Sequence, residues 1–337
     1  MPPAAMSSID FKSICGILNV HKPAGMTSRI AVTEVEWHLR RLAREQGQKL
    51  SKGTVKVGHA GTLDPLATGV LVVCIGKASR LVPFVQDQPK TYEAAFTLGA
   101  RSDSDDTEGT IEEVPDAPRP TRDEIERALA PYQGVIEQVP PQFSAVHVDG
   151  KRAYKLARKG EAIALNARPV EVHQIELLDY EWPELKLRIE CGSGTYIRSL
   201  ARDLGDDLGC GGLMHGLIRT GIGPFQLEHG LTIAEIKETN WLSALQPPVV
   251  AVTHLPTYRC DSEEQDWLVN GRMIAPHPDG IWNTARGDVS VINDEGELVC
   301  LAKARKLKKP WRVNEKAGEQ LGLQPRLVFL AINAANE

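Results

Sequence analysis

The chain has 337 residues, of which 42% are hydrophobic and 25% charged, a balance that excludes a disordered, collagen-like or coiled-coil protein. Its length predicts two domains, and no apolar run approaches the roughly 18 residues that a membrane-spanning helix needs. The formal net charge of -5, taken as a total, argues against a nucleic-acid partner.

The first predicted elements alternate between helix and strand. A helix is predicted after Thr27 and Ser28, which can cap it, because apolar residues then recur at helical spacing. The apolar run from Val70 to Ile75 predicts a buried strand, and the alternation from Tyr92 to Leu98 predicts a strand with one face on the core. Thr121–Glu124 forms a capping-box pattern that opens a further helix.

The next elements continue this alternation. Apolar and charged residues alternate from Leu185 to Cys191, residues 192–195 break the strand, and a helix with an apolar stripe runs from Ile197 to Leu208. Because helices and strands are interspersed and the clearest strands are half polar, we predict an α+β fold. Its central sheet is expected to be mixed, mainly antiparallel and flanked by helices.

The last part of the chain has a different pattern. A boundary is predicted near Gln246–Pro256, which divides the chain into domains 1–255 and 256–337. Beyond it, residues 288–302 form a predicted hairpin, and Leu327–Ile332 a further strand. Short strands of this kind predict a small β-barrel.

Charge is segregated along the chain. The runs 40–56, 151–168 and 303–312 each hold six cations and at most one carboxylate, whereas residues 103–126 hold ten carboxylates and two arginines. The negative total is therefore compatible with basic surfaces that bind a polyanion. We expect the acidic stretch to face away from such a partner.

The six cysteines include no CxxC or CxC pair, and the chain start lacks a charged segment followed by an apolar core. We therefore expect reduced thiols in a soluble, cytoplasmic protein, with no metal site. No GxxxxGK[ST] loop or dinucleotide fingerprint is present, so no cofactor is predicted.

The densest chemical signal is the segment 56–71, KVGHAGTLDPLATGVL. Asp64 precedes a proline, which restricts its backbone, and lies on a glycine-rich loop before the predicted buried strand. A carboxylate fixed in this way suits a nucleophile or a base. An Asp-Pro pair in a loop is also a common turn former, so both interpretations stay open.

A second signal is Arg198, in the first turn of the predicted helix that follows residues 192–195. A cation at the positive end of a helix does not stabilise that helix. Arg198 is therefore expected to reach a carboxylate or a phosphate, although a solvated surface arginine is the simpler alternative.

Together, GHAGTLDPLATGVL, KTYEA and GTYIRSLARDLG resemble motifs of the TruB family of tRNA pseudouridine synthases. The resemblance also includes Asn19–Ser28, Gln138–Tyr154 and Leu217–Thr220, and it extends over about residues 14 to 225 in family order. It implies a pseudouridine synthase fold with an RNA-gripping insertion near 138–170. The C-terminal part resembles the family's PUA-like domain only weakly.

The resemblance implies isomerisation of uridine to pseudouridine at position 55 in the T loop of tRNA, without a cofactor. Asp64 would be the essential aspartate, acting as nucleophile or general base, and Arg198 would pair with it. Tyr92 would stack on the uracil and Leu217 would close the apolar side of the pocket. The target base must be flipped out, and His59 would fill the gap that it leaves.

The resemblance also implies which residues hold the RNA. Lys22, Lys151, Arg152 and Tyr154 are the expected substrate contacts, and the T stem-loop of tRNA is the expected partner of a monomer that needs no protein partner. His147 stands where many relatives have lysine or arginine. The basic run 40–56 is either an extra RNA contact or an exposed loop.

Three other functions stay open. A glycoside or nucleoside hydrolase would need two carboxylates, whereas Asp64 has no second acid nearby in sequence. A non-catalytic RNA-binding or tRNA-folding module is disfavoured by the joint presence of Asp64, Tyr92 and Arg198. A guide-RNA-dependent ribosomal RNA synthase would favour basic terminal tails, which this sequence lacks.

Overall fold

A computed structural model describes residues 9–144, 165–275, 287–306 and 321–330, together with the backbone of two short strands at 147–148 and 151–152. The helices are α1 Ser28–Glu45, α2 Val82–Gln86, α3 Arg122–Leu129, α4 Ile197–Asp207, α5 Ile233–Glu238 and α6 Ser262–Val269. The strands are β1 Gly16–Lys22, β2 Val57–His59, β3 Thr68–Ile75, β4 Lys90–Leu98, β5 Ala100–Ser102, β6 Ile111–Glu113, β7 Gly134–Gln138, β8 His147–Val148, β9 Lys151–Arg152, β10 Arg168–Glu181, β11 Glu184–Cys191, β12 Gly212–Ile222, β13 Phe225–Gln226, β14 Leu231–Thr232, β15 Thr257–Arg259, β16 Asp288–Ile292, β17 Leu298–Lys306 and β18 Leu321–Val328.

A ten-stranded sheet forms the centre of the molecule, in the order β14-β1-β3-β12-β4-β11-β10-β7, with β13 beside β12 and β2 beside β3. Two pairs are parallel, β1 with β14 and β12 with β3, and the other described pairs are antiparallel. The predicted α+β fold with a mixed, mainly antiparallel sheet is therefore confirmed.

Helices cover this sheet as the sequence patterns predict. The apolar side of α1 packs with β1 and β3, and the Thr27 hydroxyl caps the helix by accepting a hydrogen bond from the Ile30 amide. The apolar stripe of α4 packs with β4, β11 and β12. The capping box of α3 is present, with the Thr121 and Glu124 side chains each bonded to the other residue's backbone.

The C-terminal residues form a four-stranded sheet in the order β15-β16-β17-β18. The predicted hairpin is present as β16 and β17, but the last described strand is Leu321–Val328, so the predicted strand at 327–332 was placed too late. The predicted barrel is not confirmed, because β15 and β18 do not pair with each other in the part of the chain that the structure describes. Leu298, Leu301 and Phe329 pack against the large sheet.

None of the described helices combines the length and the apolar character that a membrane crossing requires.

Candidate functional site

A cavity of about 370 Å³ lies where the loop before β3, the loop before α4 and the strands β4 and β12 meet. Its lining includes Asp64, Tyr92, Tyr196, Arg198, Leu217 and Arg219. The structure therefore brings four of the residues singled out in the sequence to one place, although they lie up to 153 positions apart (64 to 217). A volume of this size is in the usual range of small-ligand pockets.

The loop that carries Asp64 is held on both sides of the carboxylate. The Ser28 hydroxyl, at the start of α1, accepts a hydrogen bond from the Leu63 amide at 2.8 Å and donates one to the Leu63 carbonyl at 3.0 Å. The Ala67 amide donates to the Asp64 carbonyl at 3.1 Å, so the backbone also forms a turn. The Asp-Pro pair therefore does form a turn, and the carboxylate also lines the cavity, where it is 38% exposed.

Arg198 is the residue that joins Asp64 to the protein interior. Its Nη2 lies 3.0 Å from Oδ2 of Asp64, and its Nη1 lies 3.1 Å from Oδ2 of Asp106. The same two nitrogens donate to the backbone carbonyls of Ser104 at 3.0 Å and Phe143 at 3.2 Å. The alternative of a solvated surface arginine is therefore wrong, because the side chain is only 6% exposed and is held by four acceptors.

Asp106 is the functional candidate that the sequence analysis missed. We expected the acidic stretch 103–126 to face away from a polyanion, which is wrong for Asp105 and Asp106, because both are buried against arginines of α4. The Asp106 carboxylate accepts hydrogen bonds from the Ser104 hydroxyl at 2.6 Å and the Glu108 amide at 2.9 Å. Its position in a run of acids, which is typical of a solvated loop, hid it.

A second ion pair lies one turn further along α4. Nη1 of Arg202 is 2.8 Å from Asp105, and Nη2 is 2.8 Å from Asp203. Burial raises the pKa of Asp105 to about 6, and the charge of Arg202 opposes that rise. The Gln138 side chain exchanges hydrogen bonds with the backbone of Tyr196, which ties the start of the predicted RNA-gripping insertion to the loop before α4.

Tyr92 and Arg219 form the opposite side of the cavity. Burial raises the pKa of the Tyr92 phenol, which therefore stays protonated, and the phenol is within hydrogen-bond reach of Arg219. The buried Arg219 guanidinium donates to the carbonyls of Val70 at 2.8 Å and Gly61 at 3.0 Å. Gly69 has φ +103°, and a Cβ there would lie 2.2 Å from the Arg219 carbonyl oxygen, so this close contact requires glycine.

His59 ends β2, close to the cavity but outside its lining. Burial, and secondarily the charge of Arg219, lowers the pKa of His59, which favours a neutral imidazole. Its buried Nδ1 atom has no hydrogen-bond partner among the described residues.

Lys22 is fully buried behind the Asp64 loop. Its amine donates to the carbonyls of Pro23 at 2.9 Å, Met26 at 2.7 Å and Pro65 at 3.4 Å, and burial lowers its pKa to about 8. The amine therefore faces backbone carbonyls on both sides of the loop, and the substrate contact expected of Lys22 stays a prediction.

The remaining predicted RNA contacts lie in the insertion. Lys151 and Arg152 belong to β9, which pairs with His147 and Val148 of β8, and their side chains are outside the described residues. Tyr154 also lies outside the described residues. At the end of the insertion, the Arg168 guanidinium lies 5.1 Å from the centre of the Tyr196 ring, a cation–π distance.

In the described part of the chain, no group of three or more His, Cys, Asp or Glu side chains is placed to hold a metal ion. All six cysteines are free, and five of them are buried.

Two family models match the chain. The model for the N-terminal domain of TruB family pseudouridylate synthases matches residues 48–197, and the model for the tRNA pseudouridylate synthase B C-terminal domain matches residues 198–247. Among curated proteins, the tRNA pseudouridine synthase B of Ruegeria pomeroyi is 42% identical over 86% of this chain and 92% of its own length. The tRNA pseudouridine synthase B of Synechococcus sp. strain WH7803 is 39% identical over 94% of this chain and 98% of its own.

This chain is also similar in structure to chains of solved complexes. A chain from the crystal structure of a Cbf5–Nop10–Gar1 complex has a TM-score of 0.67 and 27% identity, over 94% of this chain and 85% of its own. A chain from an H/ACA RNP bound to a substrate RNA containing 2'-deoxyuridine has a TM-score of 0.66 and 25% identity, over 94% and 86%.

Proposed function

The chain belongs to the TruB family of tRNA pseudouridine synthases, which isomerise uridine in tRNA, and on this premise we propose that it acts on uridine 55 of the T loop with Asp64 as its essential carboxylate. The observation that carries the proposal is the 3.0 Å contact between Asp64 and the buried Arg198 in the cavity. The greater identity to the tRNA enzymes, 42% against 25% for the H/ACA RNP chain, favours tRNA over a guided substrate.

In this reaction the bond from the ribose to N1 of uracil breaks, the base turns, and a bond from the ribose to C5 forms. The hydrogen on C5 is lost and N1 gains one, so the product is an isomer and the reaction needs no oxidant or energy source. Asp64 acts on the ribose or the base, either as nucleophile or as the base that moves a proton. Either role needs a fixed carboxylate at the cavity wall.

Arg198 and Asp106 hold that carboxylate in place. Because Arg198 is bonded at once to Asp106 and to two backbone carbonyls, its position does not depend on Asp64. The carboxylate therefore meets a donor that is already oriented, which lowers the reorganisation needed during the reaction.

The uracil ring stacks on Tyr92, and Leu217 covers its other side. The phenol stays protonated because burial raises its pKa, and its ring serves as an aromatic platform. The two residues lie on adjacent strands, with Leu217 of β12 paired to Ala94 of β4 and Tyr92 of β4 paired to Arg219 of β12, which keeps both walls of the pocket fixed.

The target base leaves the T loop before it reaches the cavity, and His59 fills the gap. A neutral imidazole can occupy that gap without the cost of burying a charge. The insertion near 138–170, including Lys151, Arg152 and Tyr154, grips the RNA backbone. Residues 256–337 act as a PUA-like RNA-binding domain, and the enzyme works as a monomer.

The test is a single-turnover assay with unmodified tRNA, in which chemical mapping reads the T-loop uridine. Asp64→Asn is expected to bind tRNA within about threefold of the wild-type Kd and to form no pseudouridine, because the amide keeps the shape but loses the carboxylate. Asp179→Asn removes an exposed carboxylate from β10 and serves as the matched control with wild-type activity. Full activity of Asp64→Asn would overturn the role of Asp64.

The position is tested by replacing the T-loop uridine with cytidine. This tRNA is expected to gain no pseudouridine, and product elsewhere in the molecule would contradict the assignment to position 55. Activity restricted to free nucleosides would support the hydrolase alternative instead.

A further inference from the structure

One strongly charged surface has no part in the cavity. It consists of Arg40 and Arg44 at the end of α1 and Lys49, Lys52 and Lys56 in the loop before β2, and we call it the basic face. Four of the five side chains are exposed and Arg40 is half-buried. None of the five has an ion pair among the described residues, whereas neighbouring Arg41 is paired with Glu45 at 3.5 Å.

The basic face is held in a defined shape. The loop is anchored by the Gln48 side chain, which accepts a hydrogen bond from the Phe11 amide and donates one to the Ile9 carbonyl, and by the buried Leu50. A concave site of about 310 Å³ lies between Arg40, Arg44 and Lys49. A concavity on an anchored loop, lined by cations without ion pairs, fits a phosphodiester backbone, since the loop itself needs little ordering on binding.

An exposed aromatic residue extends this face along α1. Trp37 is 55% exposed, and it precedes Arg40 by three and Arg44 by seven positions, so the three side chains share one side of the helix. A tryptophan beside arginines offers a stacking surface next to phosphate contacts, a combination that binds RNA.

The position of the basic face relative to the cavity limits what part of a substrate can reach it. The first residue of α1, Ser28, is bonded to Leu63, the neighbour of Asp64. Arg44 lies sixteen residues further along the helix, which is about 24 Å at 1.5 Å per residue. Because base pairs rise less in an A-form RNA helix than the roughly 3.4 Å of DNA, this distance corresponds to more than about seven base-pair steps.

We propose that the basic face binds the phosphate backbone of the tRNA substrate outside the T stem-loop. The proposal rests on the proposed function for the identity of the RNA, and on the unpaired cations, the concavity and the distance of Arg44 from the Asp64 loop for the place of contact. The basic run 40–56 is thus an RNA contact that adds affinity for whole tRNA and leaves the chemistry at the T loop unchanged.

The test compares full-length tRNA with a hairpin that holds the T stem and loop alone. The triple variant Arg40→Gln, Arg44→Gln and Lys49→Gln is expected to raise the Kd for full-length tRNA about tenfold at 50 mM salt. It should also reduce the slope of log K against log salt by about 2 to 3, because each phosphate contact contributes roughly 0.7 to 0.9. The Kd and the conversion rate of the hairpin should stay within twofold of wild type.

A matched control is Arg122→Gln, Arg127→Gln and Lys186→Gln, which removes the same charge from α3 and β11. This control is expected to leave the Kd for both RNAs unchanged. An equal loss of affinity in the control and in the basic-face variant would overturn the proposal, because the loss would then come from the net charge. An unchanged Kd and slope for full-length tRNA in the basic-face variant would also overturn it, as would an equal loss on the hairpin. If the basic face binds an acidic protein instead, the Kd and the salt slope for full-length tRNA should be unchanged in the basic-face variant.

The assay separates this proposal from the proposed function. If wild-type protein forms no pseudouridine in either RNA, the proposed function fails, and the binding comparison still decides the role of the basic face. The thermal unfolding midpoints of both triple variants are measured as well, and midpoints near that of the wild type show that the Kd values are those of folded proteins.

Discussion

Replacing Arg198 by lysine tests whether Asp64 needs the guanidinium that contacts both Asp64 and Asp106, or only a positive charge, to convert uridine to pseudouridine. The guanidinium contacts Asp64 and Asp106 through different nitrogens, at 3.0 and 3.1 Å, and also reaches two backbone carbonyls. An ammonium is a compact point charge that cannot match this forked geometry. We expect it to stay with Asp106, whose side chain is 2% exposed, and to leave the more solvated Asp64.

The size of the effect follows from the contact that is lost. A hydrogen bond to a charged group contributes about 1.5 to 3 kcal/mol. If that contact holds Asp64 in the transition state, its loss lowers the rate of conversion roughly 10- to 150-fold, since about 1.4 kcal/mol corresponds to a factor of ten. The tRNA Kd should stay near the wild-type value, because the guanidinium is buried and contacts only protein groups.

The assay is single-turnover conversion at saturating enzyme, together with a separate measurement of the tRNA Kd. Arg202→Lys is the matched control, because Arg202 lies one turn along the same helix, is also paired with two carboxylates, and does not contact Asp64. It should keep the wild-type rate within about threefold. A wild-type rate in Arg198→Lys, or a loss that comes entirely from weaker tRNA binding, would refute the positioning role.

Two further predictions concern buried ionisable groups. Lys22→Met should lower the conversion rate at least tenfold without changing the tRNA Kd, because the lost amine holds the Asp64 loop; a weaker Kd at an unchanged rate would instead indicate a substrate contact. Burial raises the pKa of Asp105 from 3.8 to about 6, so at a pH between these values the folded chain binds a proton that the unfolded chain does not. The free energy of unfolding that this group contributes is therefore lost as the pH rises through 6. Asp105→Asn should therefore reduce the loss of unfolding free energy between pH 4 and pH 7 by roughly 2 to 3 kcal/mol, measured by urea denaturation, and parallel curves for both proteins would contradict this.

The helices and strands that were predicted well are those in which buried residues recur at a regular spacing along the sequence. In α1, α4, β4 and β11 one face is apolar and the other polar, so the spacing alone identifies both the element and its buried side. The position of β18 was misjudged because Pro325 and Arg326 interrupt the apolar pattern in its middle, where β17 provides the pairing. Pairing to a neighbouring strand is a non-local interaction that a local pattern does not contain.

The candidate site divides in the same way. Asp64 and Arg198 could be singled out because glycine breaks and a proline mark their loops, and the family resemblance linked them. Asp106 could not, because its burial depends on a partner 92 residues later in the chain. A carboxylate among other acids is usually solvated, and only the three-dimensional contact with Arg198 distinguishes it from its neighbours.

The same contacts explain why the net charge was a misleading guide to the partner. The total counts Asp105 and Asp106 as fully as any exposed acid, yet each lies about 3 Å from an arginine, so the field of each pair largely cancels a short distance away. The cations of the basic face have no such partners among the described residues, and their field extends over a Debye length of about 8 to 10 Å. An approaching RNA responds to the unpaired surface charges rather than to the sum, so a net charge of -5 does not oppose the proposed binding, and we expect that binding to depend strongly on salt.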